Sequence, residues 1–431
     1  MKSIWQEGIE MPSFSPLCTS VKTDVAIVGG GMAGILTAFM LKEKGVNCIL
    51  LEKSKICSGV TANTTGKITA GQELIYNKLI KRYGKDTAQR FYTANSQAVT
   101  TLKRLAKGRD CDLNPLDNYV YTLSDVKSVE DELYALQSFG APAFFGKDIG
   151  LPFEVAGAVG LSGQAQFHPL KFLANIASEL EIYENSFVRK VKNGTLITDR
   201  GNVTADNIVI CTHFPFINSD GLYFLKLYQH RSYVIALENA KKLPGMYIDE
   251  AENGLSFRNY GDYLLLGGGG HRTGKGGECY DGIRRAGKSL FPESKEKYAF
   301  ATQDCMSLDG MPYIGKYGFF KKRLFVATGF NKWGMSGSAL AARLISDELL
   351  SVRNDYADLF SPSRSILHPQ LLQNGGEAAL GLLYPSFRRC SHLGCALHYN
   401  KTEHTWDCAC HGSRFDASGR VIDNPAQKKI K

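Results

Sequence analysis

The sequence predicts an α/β domain built on a parallel sheet, a strand-rich second region, and a small C-terminal unit organised by cysteine and histidine. Three observations carry this. A β-α-β unit with a glycine-rich turn occupies residues 24–52. Residues 228–270 alternate apolar and polar in strand fashion. Four of the eleven cysteines and four of the nine histidines fall in the last 42 residues.

The elements follow in order. Residues 1–22 read as an irregular arm with two prolines. A short apolar strand over 24–28 leads into Gly29-Gly30-Gly31-Met32-Ala33-Gly34. A helix over 32–44 has an apolar face of Ile35, Leu36, Ala38, Phe39 and Leu41, and Gly45 stops it. A second strand over 46–51 ends at Glu52. Residues 75–107 read as helix, with Leu79, Phe91, Ala94, Ala98 and Leu102 near helical spacing. A helix over 169–180 opens with Pro169 at its first turn. Strands are expected at 196–199, 208–212 and 324–328, and a helix at 338–350. Ser361-Pro-Ser-Arg and Gln373-Asn-Gly-Gly flank an expected linker over 361–380.

At ~100–200 residues per domain, 431 residues make two or three domains. With 44% hydrophobic and 22% charged residues, disorder, collagen and coiled coil are excluded. The net charge of +9 is spread along the chain in short clusters such as Lys321-Lys-Arg, which argues against a nucleic-acid partner. The uncharged run 25–41 carries four glycines and is no membrane span. Residues 2–24 hold no apolar core of the export-signal kind, and the seven other cysteines are scattered singly. The expectation is a cytoplasmic protein with reduced thiols.

The spacing Gly29, Gly31, Gly34 between strand and helix fits the dinucleotide fingerprint. The first glycine permits the tight turn, the second lets backbone approach a diphosphate, and the third lets the helix pack on the sheet. Glu52 lies 18 residues beyond Gly34, where its carboxylate suits ribose hydroxyls. The motif alone leaves FAD and NAD open.

Four further stretches accompany it: Gly59-Val-Thr-Ala-Asn-Thr-Thr-Gly-Lys-Ile-Thr, Asn207-Ile-Val-Ile-Cys-Thr, Asp309-Gly-Met-Pro-Tyr-Ile-Gly and Ala327-Thr-Gly-Phe-Asn-Lys-Trp-Gly-Met-Ser-Gly. With them, residues 23–350 resemble the glycine/D-amino-acid oxidase (DAO) family of FAD-dependent oxidoreductases. The resemblance implies a Rossmann-like FAD domain over 23–360, interleaved with an α+β substrate domain of antiparallel sheet at about 70–160 and 213–300. It implies FAD contacts from Gly29, Gly31, Gly34, Glu52, Lys53, Thr65, Val188, Gly329, Trp333, Gly334 and Met335. The helix after Gly329 would point its N-terminus at the flavin pyrimidine, where a reduced flavin needs positive charge.

The C-terminal ligand pattern is Cys390-Ser-His392-Leu-Gly-Cys395 and, after a gap, Cys408-Ala-Cys410-His411-Gly-Ser413. Two Cys and two His could hold tetrahedral zinc. An extra cysteine in each half is unlike common zinc fingers, and the pattern closely resembles the Rieske family, where two Cys and two His hold a [2Fe–2S] cluster. The resemblance implies Cys390, His392, Cys408 and His411 as ligands, and a disulfide between Cys395 and Cys410. It implies a small all-β domain over 381–431. About 25 residues separate Ser363 from Cys390, so this domain is expected to be truncated at its base. Phe415 stands where many Rieske proteins have Tyr.

Lys67 lies in the loop the family places near the flavin; it reads equally as a flavin or anion contact and as a surface lysine. Arg231 and Arg258 lie on expected strands of the substrate domain, where either could clamp a carboxylate or make an ordinary ion pair. These three are the catalytic candidates. The expected function is an FAD-dependent oxidoreductase, a dehydrogenase rather than an oxidase. It would oxidise a small amine or amino acid and pass electrons through the cluster to an external acceptor protein. The alternatives are electron flow from an external donor through cluster to flavin, or a redox sensor or electron-transfer flavoprotein without its own small-molecule substrate.

Overall fold

The computed structural model describes residues 2–318 and 321–430. Strands Val21–Val28, Cys48–Leu51, Glu181–Tyr183, Asn202–Ile210 and Leu324–Thr328 form the parallel body of one sheet, with Tyr313–Lys316 antiparallel at its edge. Helix Met32–Glu43 packs on it beside helix Gly334–Leu349. Residues 32–41 of the first helix are all buried, so its apolar character extends well beyond one face. Helix and sheet share one core, and the carboxyl ends of four parallel strands converge on Gly29, Glu52, Cys211 and Gly329. In open α/β sheets, that edge is where ligands bind.

Among the described residues nine strands form the second sheet, which is antiparallel as expected except where Met246–Asp249 runs parallel to Asn114–Thr122. Leu227–Glu238 lies between Tyr263–Arg272 and Lys295–Ser307, antiparallel to both. Lys67–Ile68 joins the far edge through Gly157–Gln166. The sheet thus takes in Lys67–Ile68 and Lys295–Ser307, which lie partly outside the 70–160 and 213–300 expected for a substrate domain. Four short antiparallel strands, Leu397–Asn400, Thr405–Cys408, Arg414–Phe415 and Val421–Asp423, form the third sheet. Cys390, Cys395, Leu397, Cys408, Cys410 and Phe415 make its core.

Three expectations change. The arm is not irregular throughout: Ile4–Gln6 forms a 3-10 helical turn whose Trp5 is fully buried, donates Nε1–H to the Thr64 carbonyl (2.6 Å) and packs edge-on against His168 and Tyr260. The helix over 75–107 is two helices, Tyr76–Tyr83 and Lys85–Ala106, broken at Gly84 with φ +85°. The linker is helical from Pro369 to Leu383. His368 caps it by accepting from Gln370 N–H (3.1 Å), and Asn374 is buried, its amide donating to the Leu225 carbonyl (3.3 Å). That tertiary contact overrides the turn signal of Asn374-Gly-Gly.

Candidate functional site

A cavity of about 780 Å³ runs from the glycine turn across the antiparallel sheet to the C-terminal domain. At one end, Gly29 has φ +111°, and a side chain there would strike the Cys211 carbonyl. A side chain at Gly34 would strike the Gly29 carbonyl, so helix and turn touch backbone to backbone. At Gly31, a Cβ would meet only the Thr61 hydroxyl, at 3.2 Å, and otherwise projects into open cavity. Glu52 accepts from Gly30 N–H (2.8 Å) and Ser54 N–H (2.9 Å), which fixes its carboxylate at the rim. Lys53, Thr65, Val188, Trp333, Gly334 and Met335 also line the cavity, whereas Gly34 and Gly329 shape it from behind. The cradle at Gly31 and the fixed carboxylate fit the adenine-nucleotide half of FAD.

The middle of the cavity faces strands Leu227–Glu238 and Lys295–Ser307. Lys67 is buried on its wall; its Nζ donates to the Tyr247 carbonyl (2.9 Å) and the Ser256 hydroxyl (3.2 Å). Burial, with the nearby Arg258 charge second, pushes its pKa down to about 7. Asp304 lines the same space with Ser232 as a distant hydrogen-bond donor (3.4 Å), and burial pushes its carboxyl up to about 6. Glu73, Asp249 and Glu252 add carboxylates.

The two arginines are committed elsewhere. Arg258 is not on the cavity wall: its guanidinium donates to the carbonyls of Thr65, Phe167 and Asn259 and sits over the Trp5 ring. Arg231 borders the cavity but pairs with Glu403 of the C-terminal domain, which also accepts from Tyr233 OH (3.0 Å) and Arg414 (2.8 Å). Neither is free to clamp a substrate carboxylate, because burial has already matched each with acceptors.

At the far end the two histidine rings lie 5.0 Å apart at 89°, packed on Phe214. Nδ1 of His392 and Nδ1 of His411 are buried without a protein partner. His392 Nε2 meets the Asn218 amide, and His411 bonds the backbone of Phe224. Burial pushes both imidazoles down, to about 3 and about 4, so both rings are neutral at pH 7, the form that can donate a lone pair to a metal. The Cys390 thiol touches those of Cys408 and Ser413's hydroxyl. Two orphaned histidine nitrogens and two paired cysteine sulfurs in one small domain are a donor set that fits a metal centre, with Cys390, Cys408, His392 and His411 as the residues that would hold it. Cys395, Cys408 and Cys410 bring their sulfurs within 4.8 Å of one another. The structure holds Cys395 and Cys410 as free thiols, close together but not bonded as the resemblance implies.

Sequence reasoning missed His213, Gln229, Gln303 and Asn424. Asn424 donates to the carbonyls of Thr212 and Phe214 (both 2.6 Å), and Gln229 to that of His411 (2.9 Å). Only the contact between domains reveals them; no motif carries them.

A nucleotide cradle at one end of a cavity and a metal-ready pair of histidines at the other mark a two-centre redox protein. The comparisons name the family. Residues 24–348 match the FAD dependent oxidoreductase family, DAO, and residues 381–431 match the Rieske [2Fe-2S] domain. The chain belongs to the DAO family of FAD-dependent oxidoreductases and carries a C-terminal Rieske domain; FAD and a [2Fe–2S] cluster are its cofactors. It is 32% identical to YhfW of Bacillus subtilis (strain 168), named as a Rieske 2Fe-2S iron-sulfur protein, over 100% of this chain and 97% of that one. It is 25% identical to gamma-glutamylputrescine oxidoreductase of Escherichia coli (strain K12), over 78% of this chain and 85% of that protein. Glycine oxidase from Geobacillus kaustophilus shares the fold, with TM-score 0.66 and 20% identity over 80% of this chain and 99% of that one. Among the described residues, no helix is long and apolar enough to cross a membrane.

Proposed function

We propose that the protein is a dehydrogenase that oxidises a small amine or amino acid and passes electrons through the cluster to an external acceptor protein. One observation carries the reading: a single cavity is walled by the glycine turn, by Lys67 and Asp304, and by Arg414, Asp423 and Asn424 of the cluster domain. When bound, FAD accepts an electron pair and the cluster carries electrons singly, so the two in sequence convert one kind of transfer into the other.

The chain's own groups do the rest. Asp304, with Glu73, Asp249 and Glu252, draws a substrate ammonium toward the sheet, and the arriving cation holds its carboxyl ionised. Lys67 has no carboxylate among its hydrogen-bond partners, and its neutral amine takes a proton from that ammonium, leaving the amine nitrogen its lone pair. The cluster domain covers the cavity and limits water there. Cys18 is exposed and the chain's other thiols are unbonded, which supports a reducing, cytoplasmic setting.

Anaerobic addition of a panel of amines and amino acids tests the reading. At least one should bleach the flavin band and then develop the spectrum of the reduced cluster. A flavin that stays oxidised with every member, in protein that holds both cofactors, would overturn it.

A further inference from the structure

Four consecutive carbonyls of the second cluster loop are each held by a side chain of the antiparallel sheet. Arg272 Nε donates to the Ala409 carbonyl (3.2 Å) and its Nη2 to that of Cys410 (3.4 Å). Gln229 Nε2 donates to the carbonyl of His411 (2.9 Å), and Gln303 Nε2 to that of Gly412 (2.8 Å). The glutamines are buried and joined, Gln303 Nε2 to Gln229 Oε1 at 2.7 Å. Gln229 Oε1 also meets His213 Nε2 (3.1 Å), and His213 lines the cavity. Gly412, with φ +77°, has no room for a side chain against Gln229, so the loop closes on the sheet at backbone distance.

We propose that Gln229, Gln303 and Arg272 are positioning residues: they clamp the ligand loop of the cluster onto the cavity wall and make it a fixed relay rather than a swinging domain. His213 and Gln229 then form a hydrogen-bonded step from cavity wall to cluster ligand, two bonds and one side chain long. The clamp stands on the hydrogen bonds; its use in electron transfer rests on the relay proposed above.

A buried amide network is costly to disturb in part, because each carbonyl left without a donor loses its only partner away from water. Gln and Leu are similar in volume, so Gln229→Leu/Gln303→Leu removes the donors without opening a large void.

Two measurements on the full holoprotein test this. Hydrogen exchange by mass spectrometry should show peptide 408–413 exchanging at least about 10-fold faster in the double variant, with flavin and iron contents unchanged. After photoreduction of the flavin with EDTA, reduction of the cluster should slow by about 10-fold or more, as small misplacements of reacting groups do. Unchanged exchange in 408–413 would overturn the clamp whatever the transfer rate does. Faster exchange in the variant, with no flavin-to-cluster transfer even in the wild type, would keep the clamp and overturn the relay. Should the double variant purify without iron, Gln303→Leu alone, which keeps both Gln229 bonds to the loop and Asn424, carries the same two readings.

Discussion

His392 and His411 stand edge to face, 5.0 Å between ring centroids, each with a buried Nδ1 that no protein group satisfies. A native core does not leave two adjacent ring nitrogens unpartnered without cause. The arrangement is preorganised because the opposite edges of both rings are already tied, one to Asn218 and one to the Phe224 backbone.

His411→Ala should therefore abolish the cluster and leave the flavin. Iron analysis and the low-field electron paramagnetic resonance signal of a reduced Rieske centre should both fall to background, while flavin content stays within the wild-type range. Wild-type protein that holds one zinc and no iron would sink the assignment.

Gly31→Ala places a methyl in the cavity with only the Thr61 hydroxyl nearby in the protein, 3.2 Å away. The chain should fold normally and lose flavin. Purified variant should be pale, with a flavin-free melting midpoint close to that of stripped wild type. Full yellow colour in the variant would mean that no diphosphate approaches the backbone there.

Arg414 pairs with Glu403, Asp407 and Asp423 at 2.8, 3.1 and 3.1 Å, and is buried. Removing one partner of a buried ionic group leaves uncompensated charge, at a cost of about 3–5 kcal/mol. Arg414→Met should show a loss of that order for the cluster domain in urea unfolding. Arg231→Met should cost less, because Arg414 still neutralises Glu403. The reverse order would mean that the pairing across the two domains dominates.

Lys67 makes stability depend on pH. Its folded pKa of about 7 lies below the ordinary lysine value of 10.5, with burial the main cause. Between those values the unfolded chain holds the extra proton, so this residue's contribution to stability rises as pH increases from 7 to 10.5. Below about 7 both states are protonated and the full burial penalty applies. Lys67→Met should lessen the rise between neutral and alkaline pH, seen as urea midpoints that converge with the wild type at the alkaline end. Parallel pH curves for the two proteins would show an ordinary lysine.

Much of the fold was legible because its signals are local. The glycine turn, the strand into Glu52 and the cysteine–histidine spacing each declare one element. Gly84 and Asn374 show the limit. A helical pattern runs across Gly84 without revealing the break, and Asn374-Gly-Gly reads as a turn until the Leu225 carbonyl is seen to hold it in a helix. Arg231 and Arg258 show it in the site. A strand arginine looks the same in sequence whether it faces substrate, a buried carboxylate or three carbonyls. Gln229 and Gln303 lie 74 residues apart, and nothing before folding ties either to a loop near the C-terminus.

The shared cavity wall also ties the grip on one cofactor to the seating of the other's domain. Ile422, Asn424 and Gln427 of the cluster domain line the same cavity as Gly29 and Gly31. Asn424 is bonded to the carbonyls of Thr212 and Phe214, next to the strand end at Cys211. Loosening that contact should loosen the hold on flavin as well, which makes the cluster domain a latch on the nucleotide cradle.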